Sequence, residues 1–225
     1  MPKLSGKDVL KSLKSSLSVN VEDYVALDSY ERSKSAFALL IATVLSQNTS
    51  DKNAMKAFES LKKRIGLSPD RISKASLKEL EEAVRPAGLY KRRAMVIKEL
   101  SSMVSERGEE WLLKILEMPL EEARKELLKL PGIGRKTADV LLLFLAGKPT
   151  FPVDTHITRI AKRIGIVDEK ASYEEIRSKL MEIFSPEDYL EAHLLLIALG
   201  RRYCKALKPL CESCPVRQHC KTGRR

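Results

Sequence analysis

All four cysteines of this 225-residue chain fall near its end, as Cys204-x6-Cys211-x2-Cys214-x5-Cys220. Thiols gathered this closely by chance alone are uncommon, and a shared bond or ligand would close the C-terminal segment around them. One solution is a pair of disulfides; the other is a set of thiolates around a soft or borderline metal. The opening residues Met1-Pro2-Lys3-Leu4-Ser5-Gly6-Lys7 carry no apolar signal core. No run of about 18 apolar residues is available to cross a membrane. Both observations predict an intracellular protein without membrane contact, where metal ligation is favoured over disulfides. The spacing leaves tetrahedral zinc and an iron–sulfur cluster both open. Lys205, Lys208, Arg217 and Lys221 lie within or beside the motif. Such cations suit structural support and a phosphate contact rather than catalysis.

The formal charge of +11 and the pI near 9.5 favour a polyanionic partner, nucleic acid ahead of an acidic membrane surface. Asn and Gln are confined to Asn20, Asn48, Asn53, Gln47 and Gln218, while Lys, Arg and Glu abound, a bias associated with heat-adapted proteins. A hydrophobic content of 44% is that of a globular chain long enough for a substantial core.

Apolar periodicity predicts an all-α fold of about ten short helices. Val9, Leu10, Leu13 and Leu17 mark a first amphipathic helix, and residues 18–34 read as irregular. The run Ala36-Phe37-Ala38-Leu39-Leu40-Ile41-Ala42-Thr43-Val44-Leu45 is too long for a typical buried strand and reads as a buried helix. It ends in the polar cluster Ser46-Gln47-Asn48-Thr49-Ser50-Asp51. Ala54, Ala57, Phe58 and Leu61 form the next apolar stripe, and Ser76-Leu77-Lys78-Glu79 has the form of a capping box. Pro86-Ala87-Gly88 breaks that helix before a basic one over Lys91 to Ser105. Pro119 suits a first helical turn, and Ser185-Pro186-Glu187-Asp188 reads as a capped helix start. No strand pair or internal repeat is evident.

Two further stretches carry chemistry. Leu130-Pro131-Gly132-Ile133-Gly134-Arg135-Lys136 reads as a hairpin between helices. Its glycines permit close approach to a ligand, and the outward amides and dipole of the following helix suit a phosphate. Such a contact positions DNA without reading its sequence. Lys136 falls in the first helical turn, where the dipole disfavours a cation; with partial burial this would lower its pKa and free the amine as a nucleophile. The competing role is an ordinary phosphate contact like that expected of Arg135. Eighteen residues on, Val153-Asp154-Thr155-His156 offers a carboxylate at another helix start, serving either as an N-cap or in catalysis.

Together these residues resemble the endonuclease III family of helix-hairpin-helix DNA glycosylases. The resemblance runs from about Ala36 to Cys220. It includes Leu45-Ser46 with the polar loop to Asp51, Gly88-Leu89-Tyr90, the hairpin through Ala138, Val153 to His156, and the cysteine tail. It implies a two-lobed fold: a helical barrel over residues 29–148 bearing the hairpin, and a discontinuous lobe of 1–28 with 149–225. It also decides between the metals, implying one [4Fe-4S] cluster on Cys204, Cys211, Cys214 and Cys220.

The resemblance implies a monomeric repair enzyme that flips a damaged pyrimidine from double-stranded DNA. Lys136 would attack the sugar C1′ and displace the base, and β-elimination from the Schiff base would cut the strand 3′ to the abasic site. Asp154 would activate Lys136 or stabilise charge developing at the sugar. Gln47 or Asn48 would fill the gap in the duplex and Leu89 would wedge its opposite side. Gln47 and Asn48 stand where bacterial members have alanine and glutamine. Leu130, Gly132, Ile133, Gly134, Arg135 and His156 complete the expected DNA contacts. Adenine-specific relatives carry a glutamate at the place of Thr43 and a non-lysine at 136, which argues against that activity. Two other readings are a thymine or uracil mismatch glycosylase, against which Lys136 weighs, and a non-catalytic DNA-binding protein. The latter would have no use for both Lys136 and Asp154.

Overall fold

The structure is a computed structural model and describes residues 5–19 and 35–223. Among these residues there are twelve α-helices and no strand. The chain divides into two compact units, one of Asn20–Ala146 and the other of Met1–Val19 with Gly147–Arg225. The irregular stretch expected over 18–34 and the lobe boundary expected at 28/29 lie mostly or wholly outside the described residues.

In the larger unit, α2 (Ala36–Ser46) is the axis of the core: Ala36 through Leu45 are all buried. A helix apolar on every face must be surrounded. It is surrounded by α3 (Asp51–Arg64), α6 (Tyr90–Arg107), α7 (Glu109–Glu117) and α9 (Arg135–Ala146). The N-terminus of α2 is closed twice. Ser35 Oγ accepts from the Ala38 amide at 3.1 Å, and Glu109 accepts from the Phe37 amide at 3.0 Å and the Ser35 hydroxyl at 2.9 Å. Each fully buried Leu, Ile or Phe contributes about 1.5–3 kcal/mol of transfer free energy, so α2 anchors the unit. Leu40→Ala in its centre would cost about 2–5 kcal/mol.

The remaining helices of this unit are α4 (Pro69–Lys74), α5 (Leu77–Val84) and α8 (Leu120–Leu128). Ser76 and Glu79 form the expected capping box at the start of α5. Burial of Ala54, Ala57, Phe58 and Leu61 in α3, and of Ala123 and Leu127 in α8, follows the sequence stripes. Pro119 precedes the first turn of α8 as its N-cap instead of entering it. A 3₁₀ turn, Arg85–Ala87, follows α5 directly and delivers the chain to Gly88.

The smaller unit holds α1 (Gly6–Lys14), α10 (Thr155–Ile164), α11 (Tyr173–Ile183) and α12 (Tyr189–Arg202), with α1 and α10 both packed on α12. Val9, Leu10 and Leu13 of α1, and Ile157, Ile160, Ala161 and Ile164 of α10, are buried as their periodicity requires. Ser185 does not cap a helix with its side chain; Pro186–Asp188 forms a 3₁₀ turn closed by the Asp188 amide on the Ser185 carbonyl at 2.9 Å, and α12 starts after it. The tighter i→i+3 closure uses the carbonyl and leaves the serine hydroxyl out.

Candidate active site and cluster loop

The hairpin of the larger unit joins α8 to α9 over residues 129–134. Leu130 and Ile133 bury their side chains in the core, and the Ile133 amide closes the turn on the Leu130 carbonyl at 3.2 Å. Any contact from these two residues to DNA would therefore be made by backbone. Gly132 has φ +70°, and a Cβ there would lie 2.6 Å from Cγ1 of Val96. Both the left-handed backbone and the close approach of α6 demand glycine. Gly134 is different: its φ is ordinary and a Cβ would meet nothing within 4 Å. Arg135 is exposed and Lys136 half-buried in the first turn of α9, where the amides lack intrahelical acceptors. Three residues beyond Lys136, the buried Asp139 receives two bonds from the Arg124 guanidinium, at 2.9 and 3.2 Å, tying α9 to α8 across the hairpin.

Two loops flank this hairpin. Gln47 ends α2 and donates to the Gly132 carbonyl at 3.0 Å and the Thr137 hydroxyl at 3.1 Å, so its side chain is committed to the hairpin. Asn48 follows, exposed, with φ +51°. On the other loop Leu89 has φ +47° and is 65% exposed. A left-handed conformation is one that asparagine tolerates better than most residues, but it is costly for a bulky apolar residue. Asn48, Leu89 and Gly132 line one shallow pocket of about 140 Å³, with Val44, Arg92 and Arg93 among its other walls.

Arg93 has no counterpart in the expected site. Its guanidinium is buried and donates to the carbonyls of Val44, Gln47 (2.8 Å), Ala87 (3.2 Å) and Gly88 (3.0 Å). Burial pushes its pKa down from the ordinary arginine value. The signal was in the sequence: 93, 97, 100 and 104 recur at helical spacing, and Ile97, Leu100 and Val104 are core residues. An arginine on an apolar stripe needs buried acceptors, but the basic run Lys91-Arg92-Arg93 concealed it.

In the smaller unit, Asp154 is half-buried and caps α10, its Oδ1 accepting from the Ile157 amide at 2.7 Å. The approach to it is heavily fixed. Thr150 accepts from Arg177 Nε at 2.8 Å, the Pro152 carbonyl meets His193 Nδ1 at 3.0 Å, and the Val153 amide donates to the Tyr173 hydroxyl at 3.3 Å. Phe151 stacks on Phe184 and meets Tyr189 edge-on. His156, in the first turn of α10, accepts from Arg159 at 3.0 Å.

The same helix holds the cysteine loop. Arg159 donates to the Cys204 carbonyl at 2.8 Å, and Arg163 to the carbonyls of Lys205 (2.6 Å) and Ala206 (3.0 Å) and to Cys204 Sγ at 3.5 Å. The four thiols are free and half-buried. Burial pushes the Cys214 thiol up; a bond from the Val216 amide opposes this, and the neighbouring Cys204, Cys220 and Cys211 add to the rise. Thiolates that repel one another in a half-buried loop form a donor set relieved by a soft cation. Among the described residues, no three His, Cys, Asp or Glu side chains form a group suited to a single metal ion. Lys205, Lys208, Arg217 and Lys221 are exposed around the loop.

Thus the larger unit brings Gln47, Asn48, Leu89 and the hairpin together, while the smaller links Asp154, His156 and the cysteines through α10. Thr43 is buried in α2 and donates to the Leu39 carbonyl at 2.7 Å, so no carboxylate stands at that position. No helix among the described residues is long and apolar enough to cross a membrane.

Residues 41–186 match the HhH-GPD superfamily of base excision DNA repair proteins, and residues 204–220 match the iron–sulfur binding domain of endonuclease III. Endonuclease III of Sulfolobus acidocaldarius is 36% identical over 210 residues, covering 93% of this chain and 92% of its own. The solved non-covalent complex of endonuclease III with DNA superposes with a TM-score of 0.80 at 32% identity, covering 99% of this chain and 98% of that one. A trapped covalent endonuclease III–DNA intermediate gives 0.76 at 31% identity over the same shares. With residues 41–186 and 204–220 matched by the two family models and relatives aligned over nearly the whole length, this chain belongs to the endonuclease III family of the HhH-GPD superfamily.

Proposed function

We infer that the protein is a base excision repair DNA glycosylase with AP lyase activity, acting on oxidised or otherwise damaged pyrimidines in duplex DNA. The observation that carries this reading is Lys136, half-buried in the first turn of α9 immediately beyond the hairpin, in a chain of this family. The Lys136 amine forms a bond to the sugar C1′ as the bond from C1′ to the base breaks, and the base leaves with a proton. The C1′–O4′ bond then breaks, O4′ takes up a proton and the opened sugar is left as a Schiff base on Lys136; this acidifies C2′, and loss of the C2′ proton expels the 3′ phosphate, which cuts the strand. Asp154 supplies negative charge for this step while its cap holds it in place. Asn at position 154 can still cap, so Asp154→Asn separates the two roles.

Asn48 is the residue that fills the duplex gap, because the Gln47 side chain is engaged with Gly132 and Thr137; Leu89 wedges from the other side. Gly132, Gly134 and the first amides of α9 hold phosphate, joined by Arg135 and His156. Cys204, Cys211, Cys214 and Cys220 hold one [4Fe-4S] cluster, which cross-links the C-terminal loop and presents its flanking cations to DNA. The protein acts as a monomer, inside the cell where its DNA is.

Borohydride reduction in the presence of a duplex with one abasic site tests the reading. The protein forms a covalent adduct and Lys136→Ala forms none; full trapping by the alanine variant removes Lys136 as nucleophile. Asp154→Asn lowers turnover far more than DNA affinity, and equal losses would leave the aspartate only a cap. Duplexes bearing thymine glycol, uracil, a G·T mismatch or an abasic site, read separately for base release and strand cutting, assign the lesion class.

A further inference from the structure

Asn48 and Leu89 are 41 residues apart in sequence, yet both are exposed, both occupy the left-handed region, and both line one pocket. Each follows a residue whose carbonyl is bound by the same side chain. Gln47, just before Asn48, and Gly88, just before Leu89, both accept from the Arg93 guanidinium, at 2.8 and 3.0 Å. The remaining donors reach back to Val44 in the last turn of α2 and Ala87 in the 3₁₀ turn. One planar group thus spans the C-terminal end of α2 and the turn before α6, binding two carbonyls on each side. Arginine alone offers five donors in a rigid fork; lysine offers a single centre on a flexible stem.

We propose that Arg93 is a positioning residue that couples the two duplex-invading loops, so that Asn48 and Leu89 enter DNA as one unit. The hydrogen bonds support this beyond a general core role. A purely structural arginine needs any buried acceptors, whereas all four acceptors here lie within the four residues preceding each left-handed residue. A left-handed leucine persists only where its surroundings over-determine it, and Arg93 supplies that constraint from inside. The guanidinium itself faces carbonyls and is buried, so it touches neither base nor sugar. Its effect on the reaction passes entirely through the geometry of the two loops. This inference rests on the reading of Asn48 and Leu89 as the invading residues.

A double-mutant cycle tests it, with strand cutting at a single abasic site in duplex DNA as the measured rate. Asn48→Ala, Leu89→Ala and the double variant are made in the wild-type protein and in Arg93→Lys. In the wild-type background each single change slows cutting at least about tenfold, and the double loss departs from the product of the singles by about fivefold or more, the size expected of interacting sites. In Arg93→Lys the effects become multiplicative. Arg93→Lys itself slows duplex cutting at least about tenfold while cutting of a single-stranded abasic oligonucleotide, which has no stack to open, changes less than about threefold. Multiplicative losses in the wild-type background overturn the coupling, as does non-additivity that survives Arg93→Lys. Equal losses by Arg93→Lys on both substrates overturn it as well, reducing Arg93 to a fold determinant. If neither Asn48→Ala nor Leu89→Ala has any effect, the invading-residue reading itself fails, a result distinct from additive losses.

Discussion

The buried pair between Arg124 and Asp139 gives a quantitative test of how the hairpin is held. Asp139 is fully buried and Arg124 nearly so, and two nearly parallel bonds join them at 2.9 and 3.2 Å. Asp139→Ala removes a carboxylate and leaves a nearly buried guanidinium without it, at a cost of about 3–5 kcal/mol. In a chain of this size each kcal/mol shifts the melting temperature by about 2–4 °C. The shift expected is therefore about 6–20 °C downward, smaller the further Arg124 moves toward solvent. The control is the apolar exchange Arg124→Met with Asp139→Leu. Replacing a buried ion pair by hydrophobic residues of similar volume is often neutral or stabilising, so the double variant recovers most of the loss. Calorimetry, with a chemical-denaturation check that the m-value is unchanged, reads both. If Asp139→Ala lowers the melting temperature by less than about 3 °C, roughly what 1 kcal/mol produces, the pair does not clamp α8 to α9. A double variant as unstable as the single one would show that the charges themselves, beyond the volume they fill, are required.

Other changes separate fold from function. Gly132→Ala forces an L-residue to φ +70° against Val96; the left-handed backbone alone costs about 1–2 kcal/mol, and thermal denaturation and duplex binding both suffer. Gly134→Ala meets open space at an ordinary φ, so its melting temperature stays within about 2 °C, less than 1 kcal/mol produces, while duplex affinity measured by anisotropy falls. Normal affinity would show that DNA does not approach this glycine. The Glu79 carboxyl is held below the usual carboxylate range, first by the Ser76 hydroxyl and then by the Ser76 amide. A depressed folded pKa contributes stability above the unfolded value and loses it as pH falls through the folded one. Wild type is thus more stable than Glu79→Gln near neutrality, and the difference starts to fade as pH falls through the ordinary glutamate value of about 4.3 and is lost as pH passes the depressed folded one; a pH-independent difference would refute the capping origin. The purified protein absorbs near roughly 400 nm through its thiolate-bound iron, and changing any of the four cysteines to serine weakens that band. A colourless protein with one equivalent of zinc would reverse the assignment.

The sequence revealed what is local or periodic. Helix α2 was legible because a run of ten residues, all apolar but Thr43, admits little else, and α10 because Ile157, Ile160, Ala161 and Ile164 repeat at helical spacing behind a capping aspartate. The capping box of α5 is plain in the sequence, and the same grammar at Ser172 and Glu175, absent from the expectations above, opens α11 with an equally plain signal. Ser185 misled because its motif fits an α-helical cap and a 3₁₀ turn alike; burial of Tyr189 and Ala192 decides where α12 begins. Arg93 was illegible for a different reason: two of its four acceptors lie 46 and 49 residues away, and no local pattern names a carbonyl as a partner. Nor does spacing say whether Gln47 or Asn48 is committed to the protein, since that depends on where the Gly132 carbonyl points.

The left-handed residues have a consequence for how such a protein would search DNA. Loop backbone ordered only on arrival costs about 1–2 kcal/mol per residue at every stop. The backbones of Asn48 and Leu89 are set while the protein is still in solution, so that cost falls once, during folding. An encounter then becomes a mechanical assay: a fixed probe is pressed against each step, and the outcome depends on how firmly that step is stacked and paired. Sound pairs push back, and weakened ones give way. On this view, much of the discrimination resides in the DNA, and the protein contributes a stiff tip with which to feel for it.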